Sequence, residues 1–249
     1  MTGPSTREWH REIPSTQERA VALARSGAPA GTRVVAGRQT RGRGRLDRAW
    51  ESPAGGLYVS LVLPPLISAP SLLPLAIGAE IAEGLERRFG VHLALKWPND
   101  LLAVRPDGSA RKVAGILVDR VVAPGGDGVA VVGVGVNVLP VTSALSPELV
   151  DRSASLGELV TPAPTVDEVE ELVVRAANAA VASLGSAAGV RATRDRCQAR
   201  LYGVGRRATV DGIPAGTIAA LGADGELLLE TGTHRVAIRA GDLRVEGAT

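Results

Sequence analysis

Residues 52–79 contain no charged side chain, and this stretch constrains the fold more than any other feature of the sequence. Within it, Pro64, Pro65, Pro70 and Pro74 follow one another at short intervals. A membrane-spanning helix tolerates such interruptions poorly. The stretch therefore predicts a buried strand, a loop and then a helix within a folded core. We expect no membrane partner.

The composition is that of a folded protein with an aliphatic core. The 249 residues suffice for one large domain, or for one domain with a small appendage. Aromatic residues make up only 2%, so the core must be built mainly from Leu, Val, Ile and Ala. A net charge of +2 does not favour general attraction to nucleic acid. Cys197 is the single cysteine, which excludes a disulfide framework and a Cys-rich zinc site. The polar N-terminus has no apolar signal core, so we expect a cytoplasmic protein.

Helix and strand patterns alternate through the first two hundred residues. The predicted helices cover 17–26, 71–90, 165–185 and 190–201. The predicted strands cover 32–37, 55–64, 92–98, 100–104, 112–119 and 128–140, with 100–104 and 112–119 forming a β-hairpin around Asp107-Gly108. Residues 140–164, rich in Pro and Ser, are predicted to form a loop.

The sequence changes in character at Gly203. Short β-rich runs follow with turn residues every few positions, and Asp224-Gly225 is typical of a hairpin. We therefore predict two domains, residues 1–202 and residues 203–249. The second is expected to be a small SH3-like β-barrel.

A loop rich in arginine and glycine lies between two predicted strands. It reads GRQTRGRGRLDRAW over residues 37–50. Taken alone, it is compatible with a solvated linker, a nucleic-acid patch or a cradle for an anion.

The lysines of this chain are scarce and their positions are informative. Lys96 and Lys112 are the only two among 28 Lys and Arg residues, and a lysine ammonium is a compact point charge unlike a guanidinium. Asn99 follows Lys96 in KWPND, Lys112 opens KVAGILVD, and Asn137 ends GVGVN. These polar residues gather at the ends of neighbouring predicted strands. Chance combined with ordinary turn chemistry remains the alternative.

Several common catalytic signatures are absent from the sequence. There is no P-loop, GVGVNV lacks the third glycine of a dinucleotide fingerprint, and no G-x-S-x-G elbow occurs. The three histidines have no ligand spacing. Cations, two asparagines and Asp100 suit phosphate chemistry in which the protein supplies no nucleophile. A carboxylate there could hold Mg²⁺ or orient an amine.

Four motifs in this order resemble the biotin protein ligase family. They are GRGR at 42–45 followed by Trp50, KWPND at 96–100, KVAGIL at 112–117 and GVGVNV at 133–138. The resemblance implies an α+β fold, with a mixed central sheet flanked by helices as in class II synthetase-like ligases and a C-terminal SH3-like domain. It also implies a two-step reaction. Biotin and ATP, with Mg²⁺, give biotinyl-5′-AMP, and biotin then passes to a lysine of a biotin carboxyl carrier domain.

The resemblance also implies roles for individual residues. The expected catalytic residues are Lys112, Arg45 and Asp100. The expected biotin-binding residues are Ser15, Thr16, Gln17, Gln39, Arg43, Gly44, Arg45, Lys112 and Gly115. The expected nucleotide-binding residues are Arg43, Arg45, Trp50, Lys96, Asn99, Asp100, Lys112 and Asn137. Asp100 is the expected Mg²⁺ ligand.

Some of these residues have simpler interpretations. Ser15 and Thr16 also suit a helix N-cap, and Ser15 to Glu18 has the spacing of a capping box. Trp50 and Trp97 could equally be packing residues. We interpret the remaining loop cations as solvated charges; these are Arg38, Arg41 and Arg48.

The chain departs from the family pattern at four positions. Gln17 stands where asparagine is usual, and Arg41 where a small residue is usual. Leu46 and Asp47 stand where a basic residue and a glycine are common. The effect of these changes on the loop is left open by the sequence.

Three other functions compete with biotin ligation. Only 14 residues precede Ser15, too few for a helix-turn-helix module, so we expect no DNA binding. Lipoate ligation uses the same catalytic fold, but GRGR followed by Trp50 and KWPND favour biotin. A catalytically dead biotin-binding module is disfavoured by the presence of Lys112, Arg45 and Asp100. The sequence leaves open a monomer or a homodimer and the identity of the carrier.

Overall fold

The computed structural model describes residues 6–64, 69–124, 128–140 and 144–247. Pro65, one of the four prolines above, lies outside these ranges. The helices are α1 Thr16–Arg25, α2 Leu73–Phe89, α3 Pro147–Val150, α4 Leu156–Leu159, α5 Val166–Ser183 and α6 Ala187–Ala199. The strands are β1 Arg7–His10, β2 Arg33–Ala36, β3 Leu57–Leu63, β4 Ala94–Lys96, β5 Asp100–Val104, β6 Ala110–Val122, β7 Gly128–Val136, β8 Arg207–Val210, β9 Ile213–Leu221, β10 Leu227–Thr231, β11 His234–Ile238 and β12 Leu243–Val245.

The first seven strands form one mixed sheet, in the order β1-β2-β3-β7-β6-β5-β4. Strand β1 pairs in parallel with β2, and the remaining pairs are antiparallel. Helices α2 and α5 pack on one face, over a core of aliphatic side chains. On the other face α1 buries Ala20 and Ala24 against valines of the sheet. Both faces of β3 are therefore covered, which explains why the uncharged stretch is buried throughout this strand.

The two hairpin predictions and the long helices are confirmed. Gly108, in the turn between β5 and β6, has φ +81°, and Gly225, between β9 and β10, has φ +86°. Glycine adopts these left-handed angles without steric cost. Helix α2 ends at Gly90 with φ +69°, as the sequence predicted.

Two local predictions differ from the structure. The predicted loop 140–164 contains the short helices α3 and α4, because Ser155 and Glu158 form a capping box that starts α4. The N-terminal segment, for which no element was predicted, forms β1 at the edge of the sheet. Its sequence is largely polar because an edge strand is only partly buried.

The remaining strands form a second, antiparallel sheet in the order β11-β10-β9-β8-β12. Its apolar residues share one core with the central sheet. The indole Nε1 of Trp97 donates a hydrogen bond to the carbonyl oxygen of Gly225 at 2.9 Å, which ties the two sheets together. The predicted α+β class is thus confirmed. The described strand pairs do not include β11 with β12, so barrel closure stays a prediction, as does the division at residue 202.

Within the described ranges, none of the helices combines the length and the apolar character that crossing a membrane requires.

Candidate active site

A cavity of about 690 Å³ opens where the central sheet, the arginine-rich loop and the terminal sheet meet. It is lined by every predicted site residue except one: Thr16, Gln17, Gln39, Arg43, Gly44, Arg45, Trp50, Lys96, Asn99, Asp100, Lys112, Gly115 and Asn137. Ser15 is the exception. Its hydroxyl caps α1 by accepting a hydrogen bond from the backbone N–H of Glu18, and its predicted contact with biotin stays a prediction.

Strand pairing explains why the scarce polar residues meet. Strands β4, β5, β6 and β7 are consecutive neighbours in the sheet. Lys96 pairs with Asp100 across β4 and β5, and Asp100 pairs with Gly115 across β5 and β6. The sequence placed these residues at the ends of neighbouring strands, and the register brings them to one edge of the cavity.

Lys112 forms the central ion pair of this cavity. Its Nζ lies 2.6 Å from Oδ1 of Asp100 and 4.9 Å from the centre of the Trp50 ring. Both the carboxylate and the aromatic face attract the Lys112 ammonium and hold it in place. The arrangement places a fixed positive charge at the floor of the cavity.

The glycines beneath this ion pair leave room for the Trp50 ring. A Cβ at Gly135 would lie 2.6 Å from Cε2 of Trp50, and one at Gly115 would lie 2.9 Å from Cζ3 of the same ring. Gly115 also lies against Lys112, whose Nζ would be 3.1 Å from such a Cβ. The glycines of the two β motifs are therefore required by the close approach of an aromatic side chain to the sheet.

A chain of neutral polar groups lines the opposite end of the cavity. Oε1 of Gln39 accepts hydrogen bonds from the Thr16 backbone N–H at 2.8 Å and from its hydroxyl at 3.1 Å. Nε2 of Gln39 donates to Ser52 Oγ at 2.8 Å, and the Thr16 and Ser60 hydroxyls lie 2.9 Å apart. These groups suit a neutral polar head group better than a charged one.

Gln17 connects this end of the cavity to the arginine-rich loop. Its Nε2 donates to Oδ2 of Asp119 at 3.1 Å and to the carbonyl oxygen of Val131 at 3.0 Å. Asp119 Oδ2 also lies 3.5 Å from Nη1 of Arg43. Gln17, the residue whose role the sequence left open, therefore orients a carboxylate that pairs with the loop.

Arg45 reaches from the loop across the cavity to the central sheet. Its Nη1 donates to Oδ1 of Asn99 at 3.3 Å, while Nδ2 of Asn99 donates to the Ile116 carbonyl oxygen at 2.9 Å. Burial lowers the pKa of Arg45, opposed by the nearby charge of Asp100. The guanidinium stays charged, since arginine does not deprotonate in proteins. A partly desolvated cation of this kind interacts strongly with an anion that enters the cavity.

Lys96 is the second cation of the cavity floor. Burial is the main reason that its pKa is lowered, and the Lys112 ammonium lowers it further. Asp100 and Asp242 act in the opposite direction. Binding of an anion here would favour the charged lysine.

Asn137 and Trp97 have structural contacts as well as positions on the cavity wall. Nδ2 of Asn137 donates to the carbonyl oxygens of Ala154 at 3.1 Å and of Lys112 at 3.4 Å. Through the second of these bonds, Asn137 fixes the backbone of Lys112. Trp97 is 2% exposed and donates a hydrogen bond to the terminal sheet.

The three loop arginines interpreted as solvated charges are exposed, and each also pairs with a carboxylate. Arg38 pairs with Glu12 at 3.2 Å and Arg41 with Glu18 at 3.1 Å. The Glu18 carboxylate accepts a hydrogen bond from Arg41. The predicted role of Ser15 as the N-cap of α1 is confirmed. Arg48 makes two bonds to Asp242, Nη2 to Oδ2 at 2.8 Å and Nη1 to Oδ1 at 3.0 Å.

The unusual loop residues adopt a backbone conformation that glycine favours. Leu46 has φ +52° and Asp47 has φ +57°, and both are left-handed. The glycine that is common in the family at position 47 fits this conformation. Aspartate tolerates it better than most residues, whereas the exposed leucine does so at a steric cost.

Three polar residues at or beside the cavity escaped the sequence analysis. Asp119 contacts the cavity residues Gln17 and Arg43; it ends the KVAGILVD motif, and an acidic residue inside an apolar strand was the available signal. Arg152 lines the cavity beside Lys112. The backbone N–H of Lys112 donates to the carbonyl oxygen of Arg152 at 2.7 Å. Asp242 lies 194 positions from its partner Arg48, a separation that no local pattern reveals.

The described part of the chain contains no group of three or more His, Cys, Asp or Glu side chains placed to hold a metal ion. A cation in the cavity would therefore depend on oxygen atoms of a bound ligand in addition to Asp100.

The fold and this cavity identify the class of protein. A model of the biotin/lipoate A/B protein ligase family matches residues 9–137, just over half of the chain. The chain belongs to that family.

Individual relatives agree with this assignment. The chain is 32% identical over 243 residues to the biotin--[acetyl-CoA-carboxylase] ligase of Mycobacterium tuberculosis, covering 92% of this chain and 85% of the relative. It is 37% identical over 154 residues to the bifunctional ligase/repressor BirA of Bacillus subtilis, covering 60% of this chain. The matched region spans about half of that relative, 46% of its length.

Solved structures give the same result over nearly the whole chain. The biotin protein ligase from Aquifex aeolicus in complex with biotin and ATP has a TM-score of 0.80 and 29% identity, covering 96% of this chain and 98% of that one. A biotin protein ligase from Leishmania major, with a TM-score of 0.61 and 20% identity over 99% of this chain, shares the fold.

Proposed function

We propose that this chain is an ATP-dependent biotin protein ligase. It activates biotin to biotinyl-5′-AMP and transfers biotin to a lysine in the biotin carboxyl carrier domain of acetyl-CoA carboxylase or a related carboxylase. The observation that carries the proposal is the 2.6 Å Lys112–Asp100 pair on the cavity floor, with Arg43, Arg45 and Lys96 around it. The similarity to a ligase solved with biotin and ATP supports the choice of substrates.

In the first step, a carboxylate oxygen of biotin attacks the α-phosphorus of ATP and pyrophosphate leaves. Lys112, Arg45 and Arg43 offset the negative charge that accumulates around phosphorus. Such stabilisation is effective because these cations are held in place before the reaction starts. The loop then shields the mixed anhydride from water.

In the second step, the ε-amine of the carrier lysine attacks the carbonyl carbon of biotin. AMP leaves and the amine loses a proton. Once Lys112 interacts with the phosphate, the Asp100 carboxylate is available to orient the incoming amine. Acidic carrier domains suit a ligase of net charge +2.

The polar end of the cavity is assigned to the biotin head group, whose ureido ring is neutral. Thr16 and Gln39 provide a preorganised donor and acceptor pair for it. Gln17 acts mainly through Asp119 and Arg43. Trp50, Asn99 and Asn137 lie towards the nucleotide.

Asp100 is the residue we assign to Mg²⁺. Magnesium at nucleotide sites is ordinarily held by one or two carboxylates and by substrate phosphates, and Asp100 provides such a carboxylate beside Lys112. When bound, the ion supplies further positive charge to the phosphates.

The test is pyrophosphate release from ATP and Mg²⁺, with biotin and separately with lipoate. We expect biotin-dependent release by the wild type and a loss of roughly a hundredfold or more in Lys112→Ala. Arg111→Ala is the matched control, since Arg111 precedes Lys112 on β6 and does not line the cavity.

Three results would contradict the proposal. Release with lipoate alone would assign the protein to lipoate ligation. Biotin binding without release would indicate a dead module. An equal loss in both variants would remove Lys112 from the centre of the reaction.

Two further expectations accompany the proposal. They are a cytoplasmic location and no specific DNA binding, and a gel shift on operator-like DNA tests the second.

A further inference from the structure

An ion pair between Arg48 and Asp242 attaches the arginine-rich loop to the terminal sheet. Arg48 presents two guanidinium nitrogens to the two carboxylate oxygens of Asp242, at 2.8 and 3.0 Å. Paired, two-point contacts of this kind are the strongest form of the Arg–carboxylate bond. The Asp242 side chain is 20% exposed and that of Arg48 is 58% exposed, so solvent reaches this contact mainly from the arginine side.

The backbone of the loop transmits the position of Arg48 to the cavity. Its carbonyl oxygen accepts from the N–H of Gly44 at 2.7 Å, and its own N–H donates to the carbonyl oxygen of Arg45 at 3.1 Å. Trp50 closes the same loop with a 2.9 Å bond from its N–H to the carbonyl oxygen of Gly42. Holding Arg48 therefore also holds the segment that carries Arg43 and Arg45.

The other end of the contact is rigid. The N–H of Asp242 donates to Oδ1 of Asp211 at 2.8 Å, and the N–H of Asp211 donates back to the carbonyl oxygen of Asp242 at 3.1 Å. Gly241 has φ +136°, and a Cβ there would lie 2.5 Å from Val210 Cγ1. The turn before β12 thus fixes the carboxylate at the cavity wall.

Other charges around Asp242 do not replace Arg48. Nε of Arg244 lies 3.7 Å from Oδ2, but that arginine is 70% exposed. Lys96 faces the carboxylate from the cavity floor without a direct bond. The Arg48 guanidinium is the main reason that the pKa of Asp242 is lowered.

We infer that Asp242 is a positioning residue for the ligase reaction. By binding Arg48, it holds the Arg43–Arg45 loop closed over the bound adenylate. The terminal sheet thereby helps to retain the adenylate. This inference rests on the proposed function for its substrate, although the loop contact itself does not.

The test measures the escape of biotinyl-adenylate from enzyme that has been loaded with biotin and ATP and then separated from free ligand. Asp242→Asn keeps the shape and removes the charge, and we expect escape about three to ten times faster. Asp242→Glu keeps the charge and should restore most of the retention. Glu230→Gln is the matched control, because it breaks the exposed 2.9 Å pair with Arg235 in the same sheet away from the cavity. All variants should melt at temperatures close to that of the wild type.

A second measurement does not require the reaction. Trypsin cleaves after the loop arginines, and we expect Asp242→Asn without ligands to be cut there at least about three times faster than the wild type. Wild type that forms no adenylate would refute the proposed function and leave this loop test standing. The inference is overturned if Asp242→Asn matches the wild type in escape or in cleavage. It is also overturned if the Glu230→Gln or Asp242→Glu variant is as fast as Asp242→Asn.

Discussion

At the scale of single residues, the cavity depends on small residues beneath large ones. Gly135 and Gly115 lie under the Trp50 ring, which in turn supports the Lys112 ammonium. The indole Nε1–H of Trp50 is buried and donates to no acceptor among the described residues. A buried donor without a partner is costly, and a bound ligand that accepts from it would remove that cost.

Gly135→Ala should displace Trp50 without unfolding the sheet. The added Cβ would lie 2.6 Å from the ring, so the indole must move away from β7. We expect the KM for ATP to rise about tenfold, with a shift in tryptophan fluorescence. Gly128→Ala on the same strand is the control, because its Cβ meets only the flexible end of Arg120 at 3.5 Å. Equal KM values in the two variants would refute this account.

Lys96 should give the reaction an alkaline limit. Burial lowers its pKa below the ordinary 10.5, so it loses its proton, and with it the attraction for phosphate, at a lower pH than an exposed lysine. We expect kcat/KM for ATP to fall as the pH rises through that lowered pKa. Lys96→Arg remains charged over this range and should show no such fall. Identical alkaline profiles would exclude Lys96 as its source.

At the scale of elements, Glu170 on α5 joins the helix to two strands. Its carboxylate accepts from Arg7 at 2.7 and 2.8 Å and from Arg33 at 3.0 Å, which fixes β1 and β2. The Arg7 hydrogen bond is the main reason that the pKa of Glu170 is lowered from 4.5. A polar edge strand is thus held by charge and not by apolar burial.

Glu170→Gln should reduce the free energy of unfolding by about 1–2 kcal/mol near pH 7, allowing for the partial exposure of both arginines. Because the pKa is lowered in the folded state, this contribution is present above the unfolded pKa. It is lost as the pH falls through the folded pKa. Denaturant titrations between pH 7 and 3 should therefore show a steeper loss below pH 4.5 in the wild type than in the variant. Parallel curves would contradict this role for Glu170.

At the scale of the whole molecule, the two sheets share a core and close one cavity between them. Trp97→Phe removes the bond to Gly225 and should cost about 1 kcal/mol. The loss should appear as faster hydrogen exchange in both β7 and β10, because a shared core unfolds as one unit. Trp9→Phe, at a side chain that is 56% exposed, is the control. Faster exchange confined to β10 would show that the sheets unfold separately.

The sequence by itself determined the elements of this protein and most of the candidate residues. Periodicity located the long helices, Asp-Gly turns located both hairpins, and rarity singled out Lys96, Lys112 and Asn137. These signals are local, because they depend on residues within a few positions of one another. They missed β1, in which Arg7 binds the distant Glu170, and they assigned no structure to α3 and α4.

Tertiary structure alone decided how the candidates act together. Strand register placed Lys112 against Asp100, Gln17 reached Arg43 through Asp119, and Arg48 found Asp242 on another sheet. Gln17 and Asp119 are 102 positions apart and Arg48 and Asp242 are 194 apart, while the Lys112–Asp100 contact depends on the register of one hairpin. Their energies depend on distance and burial, which the sequence does not contain until the chain has folded.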